Sequence, residues 1–143
     1  MEKIHLHYEV DGDNFMAAGE ASCDMKRVLK QLGFDSETIR RASICMYEGE
    51  INMVIHADGG TADVYVETSR IEIVLTDSGP GIEDVSQAMQ RGFSTATQSI
   101  RELGFGAGMG LPNMEQYSDW MDVSSEVGVG TTVTVRIALG ETA

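Results

Sequence analysis

The chain has 143 residues, of which 23 are Asp or Glu and only 10 are Lys or Arg, giving a formal net charge of −13. That length holds one sizeable hydrophobic core and predicts a single domain over 1–143, while the charge repels phosphate backbones and anionic lipid and so excludes nucleic acid and membrane as partners. No apolar run is long enough to span a bilayer, and Met1-Glu2-Lys3-Ile4 lacks a basic segment followed by a hydrophobic one, so a cytoplasmic location is expected.

Residues 3–10 alternate Ile4, Leu6, Tyr8 and Val10 with His5, His7 and Glu9, the period of a half-buried strand. From Phe15 the apolar residues Ala18, Ala21, Met25, Val28, Leu29 and Leu32 recur at helical spacing, and Gly33 closes the pattern as a C-terminal cap. A second helix is predicted from Asp35 or Ser36, either a good N-cap, to about Ala57, where Asp58-Gly59-Gly60 breaks it. Cys23 and Cys45 fall on these two helices without C-x-x-C spacing, which suits a reducing compartment and argues against structural zinc; both are expected as buried thiols. Then the period changes. Residues 63–68 and 70–76 read as two strands joined by a tight turn, with Ile71, Ile73 and Leu75 on one face of the second. A short helix over 84–91, a polar stretch to Leu103, a glycine run and a helix over about 111–117 follow. The C-terminal hairpin pairs 121–125 with 131–139 around Glu126-Val127-Gly128-Val129-Gly130. Helices followed by hairpin-linked strands predict an α+β fold, a two-layer sandwich with a mixed, mostly antiparallel sheet and helices on one face.

On the second helix Glu48, Asn52 and His56 stand four residues apart on one face, and Ile44, Ile51 and Ile55 lie beside them. This polar stripe therefore borders the apolar stripe instead of opposing it, so something polar must await it. A carboxylate and an amide one turn apart can divide two tasks: Glu48 accepts a proton from an attacking hydroxyl or water, and Asn52 offers a neutral oxygen to Mg2+. The same two residues also suit the polar edge of an ordinary helix. His56 reads as a packing or capping residue near the helix end, because no second His or Cys stands at ligand spacing.

Asp77 continues the core-facing row Ile71, Ile73 and Leu75 into Asp77-Ser78-Gly79-Pro80-Gly81. Two roles fit it: a turn residue that bonds its own backbone, or an acceptor for an exocyclic amine such as that of adenine, with Gly79 and Gly81 letting the backbone approach a flat ring. Thr131 falls in the row of Val133, Val135 and Ile137, so its hydroxyl also faces inward, as half of a polar pair with Asp77 or as β-branched filler. Gly104, Gly106, Gly108 and Gly110 alternate ahead of the helix that begins near Leu111, a pattern too costly for a strand or helix interior and suited to close backbone approach. N–H groups at a helix N-terminus bind phosphate without Lys, which matters in a chain this acidic. The run is neither G-x-x-x-x-G-K-[ST] nor G-x-G-x-x-G. Residues 94–103 read as a lid, on which Arg101 either reaches a terminal phosphate or lies on the lid's exposed surface.

In order and spacing these motifs resemble those of the Bergerat-fold (GHKL) ATPases, a superfamily that includes gyrase, chaperone, histidine-kinase and MutL ATPase domains. The stretches 91–95, 106–112 and 125–132 are similar to the small stand-alone serine/threonine kinases of the anti-sigma-factor group, most to the RsbT type and less to RsbW or SpoIIAB. The resemblance implies transfer of the ATP γ-phosphate to a Ser or Thr of a small STAS-domain partner, with a sigma factor or other regulator as a further partner, and leaves monomer and homodimer open. It also implies roles: Glu48 as general base, Asn52 as Mg2+ ligand, Asp77 and Thr131 as adenine-side contacts, Gly79 and Gly81 beside the ring, and Gly104, Gly106, Gly108, Gly110 and Leu111 around the phosphates. A nucleotide-gated anti-sigma factor with little kinase turnover is the alternative. Two departures from the RsbT pattern stand out: several extra residues between Thr95 and Gly104, and Glu50, which adds charge beside the expected base.

Overall fold

Eight elements follow one another as β1 (Ile4–Asp11), α1 (Glu20–Gln31), α2 (Ser36–Ala57), β2 (Gly59–Val66), β3 (Arg70–Asp77), α3 (Gly110–Tyr117), β4 (Trp120–Glu126) and β5 (Gly130–Ala138). They belong to a computed structural model that describes residues 3–12, 19–57, 59–82, 85, 89 and 110–139. The strands form one sheet in the order β1-β2-β3-β5-β4. Every described pairing is antiparallel, so the parallel component of a mixed sheet is absent among the described residues.

Alternation along the strands separates two faces. Ala62, Val64 and Val66 of β2, Ile71, Ile73 and Leu75 of β3, and Val133, Val135 and Ile137 of β5 are buried. They share one core with Met25 and Leu29 of α1, Ala42, Cys45, Met46, Met53 and Val54 of α2, and Leu111 and Met114 of α3. The helices thus cover one face, as the sequence predicts. The opposite face is polar: Arg136 donates to Glu72 at 2.7 Å and lies over the Trp120 ring at 4.1 Å.

The placement of α2 fixes the rest. Gly49 faces β3 so closely that a Cβ there would sit 2.6 Å from Leu75 Cδ1. A glycine inside a helix costs about 1 kcal/mol of propensity, which the close approach to the sheet offsets. Helix α1 ends as expected: Gly33 has φ +87°, its N–H reaches Lys30 O at 3.1 Å, and Phe34 N–H reaches Leu29 O at 3.2 Å, the two bonds of a Schellman cap. Its start carries no side-chain cap of its own. Instead Glu50 reaches across from α2, only 2 % exposed, and accepts from the N–H groups of Ala21 and Ser22 at 3.2 Å each. Glu50 is therefore not extra charge beside Glu48: residues two apart on a helix point about 200° apart, and Glu50 faces α1.

Other expectations shift. Strand β2 spans Gly59–Val66 rather than 63–68, because Gly59 and Gly60 pair with Asp11 and Val10 in the ladder instead of forming a separate break. A Cβ on Gly59 would collide with the Val10 carbonyl, so glycine permits the pairing. Cys23 is exposed on α1, whereas Cys45 is buried as expected. Helix α1 begins at Glu20, and Phe15 lies outside the described residues. Of the helix predicted over 84–91, Val85 and Met89 are described, joined by a Met89 N–H to Val85 O bond of 3.0 Å that marks one helical turn. The expected lid with Arg101, the glycines Gly104, Gly106 and Gly108, and the side chain of His56 also lie outside the described residues. Among the described residues no helix is long and apolar enough to cross a membrane.

Candidate functional site

The polar stripe of α2 faces the first turn of α3. Burial pushes the Glu48 carboxyl above the usual glutamate range, and the Asn113 side chain on α3 bonds to it and pulls the other way. One turn further along α2, Asn52 abuts the first residue of α3: a Cβ on Gly110 would lie 2.8 Å from both Oδ1 and Nδ2 of its amide. Glycine at this position lets the helix start against the amide. Of the N–H groups in the first turn, Pro112 supplies none, leaving those of Gly110 and Leu111. That turn holds no acidic residue of its own, and the positive end of the helix dipole adds to the two N–H groups. The Leu111 side chain belongs to the core at 8 % exposure, so only its backbone can meet a ligand.

Behind this turn α3 is fastened to α2. Arg41 Nε donates to Tyr117 O at 3.1 Å, satisfying a terminal carbonyl, while its Nη2 pairs with Asp119 at 3.1 Å. The Cys45 thiol donates to Met114 O at 3.6 Å.

The second half of the site lies at the end of β3. Asp77 Oδ1 accepts from Gly79 N–H at 2.9 Å and from Thr131 N–H at 3.2 Å, across the register pair Asp77 to Thr131. Among the described residues none donates to Oδ2. The turn role is thus met through Oδ1. The expected pair of Asp77 with Thr131 forms through the backbone N–H, not the hydroxyl, because the Thr131 hydroxyl is engaged with Ser125 Oγ at 2.8 Å. Ser125 Oγ in turn accepts from Ile82 N–H at 2.7 Å, tying the loop after Asp77 to the hairpin. The glycines of this loop serve packing. A Cβ on Gly79 would lie 2.6 Å from Ala57 Cβ, and one on Gly81, at φ +82°, would lie 2.5 Å from Glu126 O. Protein atoms fill those positions.

Ser125 and Asn113 are the two residues that sequence reasoning missed. Alternation along β4 puts Ser125 opposite Thr131 and could have found it. Asn113 carries a weaker signal, a polar residue in the turn that follows the glycine run.

Helix α2 joins the two halves. Its Glu48 and Asn52 meet α3, while Ala57 touches the Asp77 loop. At 1.5 Å per residue Ala57 stands about 7.5 Å along the axis from Asn52. The N-terminus of α3 and the Asp77 carboxylate stand at the two ends of that span, a donor set that could take phosphates at the one and a base edge at the other.

The chain belongs to the histidine kinase-, DNA gyrase B- and HSP90-like ATPase family, whose model matches residues 40–141. Membership in that family implies ATP as the ligand. An anti-sigma F factor from Thermoanaerobacter sp. (strain X514) is 32 % identical over 105 residues, which are 73 % of this chain and 66 % of the relative, so the match spans just under two thirds of that protein. The serine/threonine-protein kinase RsbT of Bacillus subtilis (strain 168) is 30 % identical over 112 residues, 76 % of this chain and 78 % of that one. The solved RsbU and RsbW domains of Rv1364c from Mycobacterium tuberculosis share the fold with a TM-score of 0.61 at 18 % identity, covering 98 % of this chain and 34 % of that one.

Proposed function

We propose that this chain is an ATP-dependent serine/threonine kinase of a partner-switching system, whose substrate is a small STAS-domain protein. The observation that carries the proposal is the stripe of α2, which sets Glu48 and Asn52 against the N-terminal turn of α3. Asn52 would hold Mg2+, which keeps most of its waters and needs only one or two protein oxygens. Asp77 Oδ2 would accept from the adenine amine, with Thr131 packed beside it, and the N–H groups of Gly110 and Leu111, continued by Gly104, Gly106 and Gly108, would bind the phosphates. Bound Mg2+-ATP supplies the γ-phosphoryl group and neutralises its charge. Glu48 would take the proton from the acceptor hydroxyl. Its burial raises its affinity for that proton, which suits a general base. A groove between α1 and α2, lined by Ser22, Lys26, Tyr47 and Glu48 among others, gives an acceptor segment a path to that carboxylate.

The test is phosphate transfer from γ-labelled ATP to a STAS-domain partner. Glu48→Ala is expected to lower transfer by about 10²-fold or more, the usual contribution of a general base, while nucleotide affinity stays within roughly threefold. Unimpaired transfer by this variant would sink the assignment. The second reading, a nucleotide-gated anti-sigma factor, is favoured by the name of the Thermoanaerobacter relative. It expects a stable complex with a sigma factor whose affinity still responds to nucleotide in Glu48→Ala.

A further inference from the structure

The face of the sheet that points away from the helices carries a group with no part in the nucleotide site. His5 and His7 stand two apart on β1 and so share that face, and Asp63 sits opposite His7 in the β1–β2 register. Asp63 Oδ1 lies 2.8 Å from His5 Nε2 and 2.7 Å from His7 Nδ1, and the three atoms lie within 4.8 Å of one another. The His5 ring is held in place by stacking on Tyr65, with centroids 4.6 Å apart and planes 8° from parallel. Burial pushes the Asp63 carboxyl up, but the hydrogen bonds from His7 and His5 outweigh it and hold it below the usual carboxylate range.

One imidazole would suffice to hydrogen-bond the edge strand to its neighbour. Two imidazoles converging on one carboxylate oxygen make a nitrogen-rich ligand set. We propose that His5, His7 and Asp63 bind a transition-metal dication of the zinc class, independently of the nucleotide site. Two imidazoles and one carboxylate suit Zn2+, Ni2+, Cu2+ or Co2+ and not Mg2+ or Ca2+, which take oxygen donors. Tetrahedral bonds of about 2.0–2.1 Å separate neighbouring donors by about 3.3 Å, so each imidazole nitrogen must draw back from Oδ1 by about 0.5 Å. Both His side chains are about half exposed, 49 % and 50 %, and can make that movement. Each imidazole gives up the proton it shares with Oδ1, to solvent or to its own outer nitrogen, and the carboxylate keeps its charge toward the metal. Water completes the coordination. The metal would pin edge strand β1 to β2.

The test is a Co2+ titration of the full chain, free of nucleotide and in excess Mg2+, read by visible absorption and repeated with Zn2+ as competitor. The wild type is expected to give a ligand-field band at one equivalent that Zn2+ abolishes and Mg2+ does not. His7→Ala and Asp63→Ala are expected to weaken Co2+ binding by roughly tenfold or more, at least the loss seen for outer-shell metal partners, with ATP affinity unchanged. His5→Gln, a milder change at an exposed position, provides the same comparison should the alanine variants fold poorly. Absence of the band in the wild type, or unchanged Co2+ affinity in the folded variants, overturns the proposal.

Discussion

Glu48 and Asp77 are both carboxylates of the proposed nucleotide site, and their surroundings divide them. Burial disfavours the ionised form of Glu48, so its folded value lies above its unfolded one. By linkage, the stability this shift confers is present below the unfolded value and lost as pH rises through the folded one. At neutral pH the charge is thus a cost to the fold. Glu48→Gln is expected to abolish phosphate transfer while holding or raising stability at pH 7, with the gain vanishing below about pH 4.3, where the carboxyl is protonated in both states. Urea unfolding at the two pH values checks this. Asp77 has one oxygen occupied by two backbone N–H groups. In Asp77→Asn the amide oxygen can keep those two bonds, but the amide nitrogen then presents a donor to the adenine amine. Nucleotide affinity is expected to fall by tenfold or more, about 1.4 kcal/mol, with little change in melting temperature; a calorimetric ATP titration beside a thermal melt decides it. Alternation alone turns Asp77 and Thr131 inward, and the β3–β5 register sets them side by side. That the Thr131 hydroxyl turns to Ser125 depends on the hairpin bringing a third strand alongside.

At the scale of elements, α2 organises the molecule by what each of its faces meets. One face closes onto Leu75 at Gly49, a second presents Glu48 and Asn52 to α3, and a third sends Glu50 to the start of α1. Glu50→Ala would leave two N–H groups at a helix start without their charged acceptor, in a place water does not reach. The expected loss is about 2–3 kcal/mol, read from the urea midpoint, because bonds to a charged group are worth more than neutral ones. Transfer activity measured well below the midpoint should survive, since Glu50 faces away from Glu48. Helical periodicity made α2 legible over nearly its full length and separated Glu48 from the apolar stripe. It gave no means of seeing that Glu50 caps another helix, because α1 and α2 are adjacent in sequence but their relative orientation is a packing outcome. The same limit explains Gly59-Gly60: glycine pairs signal a break locally, and only the β1 ladder turns them into a strand.

Across the whole molecule the core is continuous from α1 through the sheet to α3, and Cys45 sits within it. Burial first of all pushes its thiol up to about 12. Cys23 is exposed. A thiol-reactive probe at neutral pH is therefore expected to modify Cys23 promptly and Cys45 only when the core opens, so the slow phase should accelerate with urea in step with unfolding. Equal rates for the two thiols in the native protein would contradict the packing of α2 against α3. The sequence by itself determined most of the strands and helices, the two-layer α+β class, the inward direction of Asp77 and Thr131, and the placement of Glu48 and Asn52 on one helical stripe, since all of these follow from periods of 2.0 and 3.6 residues. Only the tertiary structure decided that the stripe meets the N-terminal turn of α3, that Glu50 belongs to α1, that the loop glycines admit Ala57 and Glu126, and that His5, His7 and Asp63 converge on one oxygen. Those outcomes depend on residues far apart in the chain approaching to within a few ångströms, and local periodicity carries no information about distance in space.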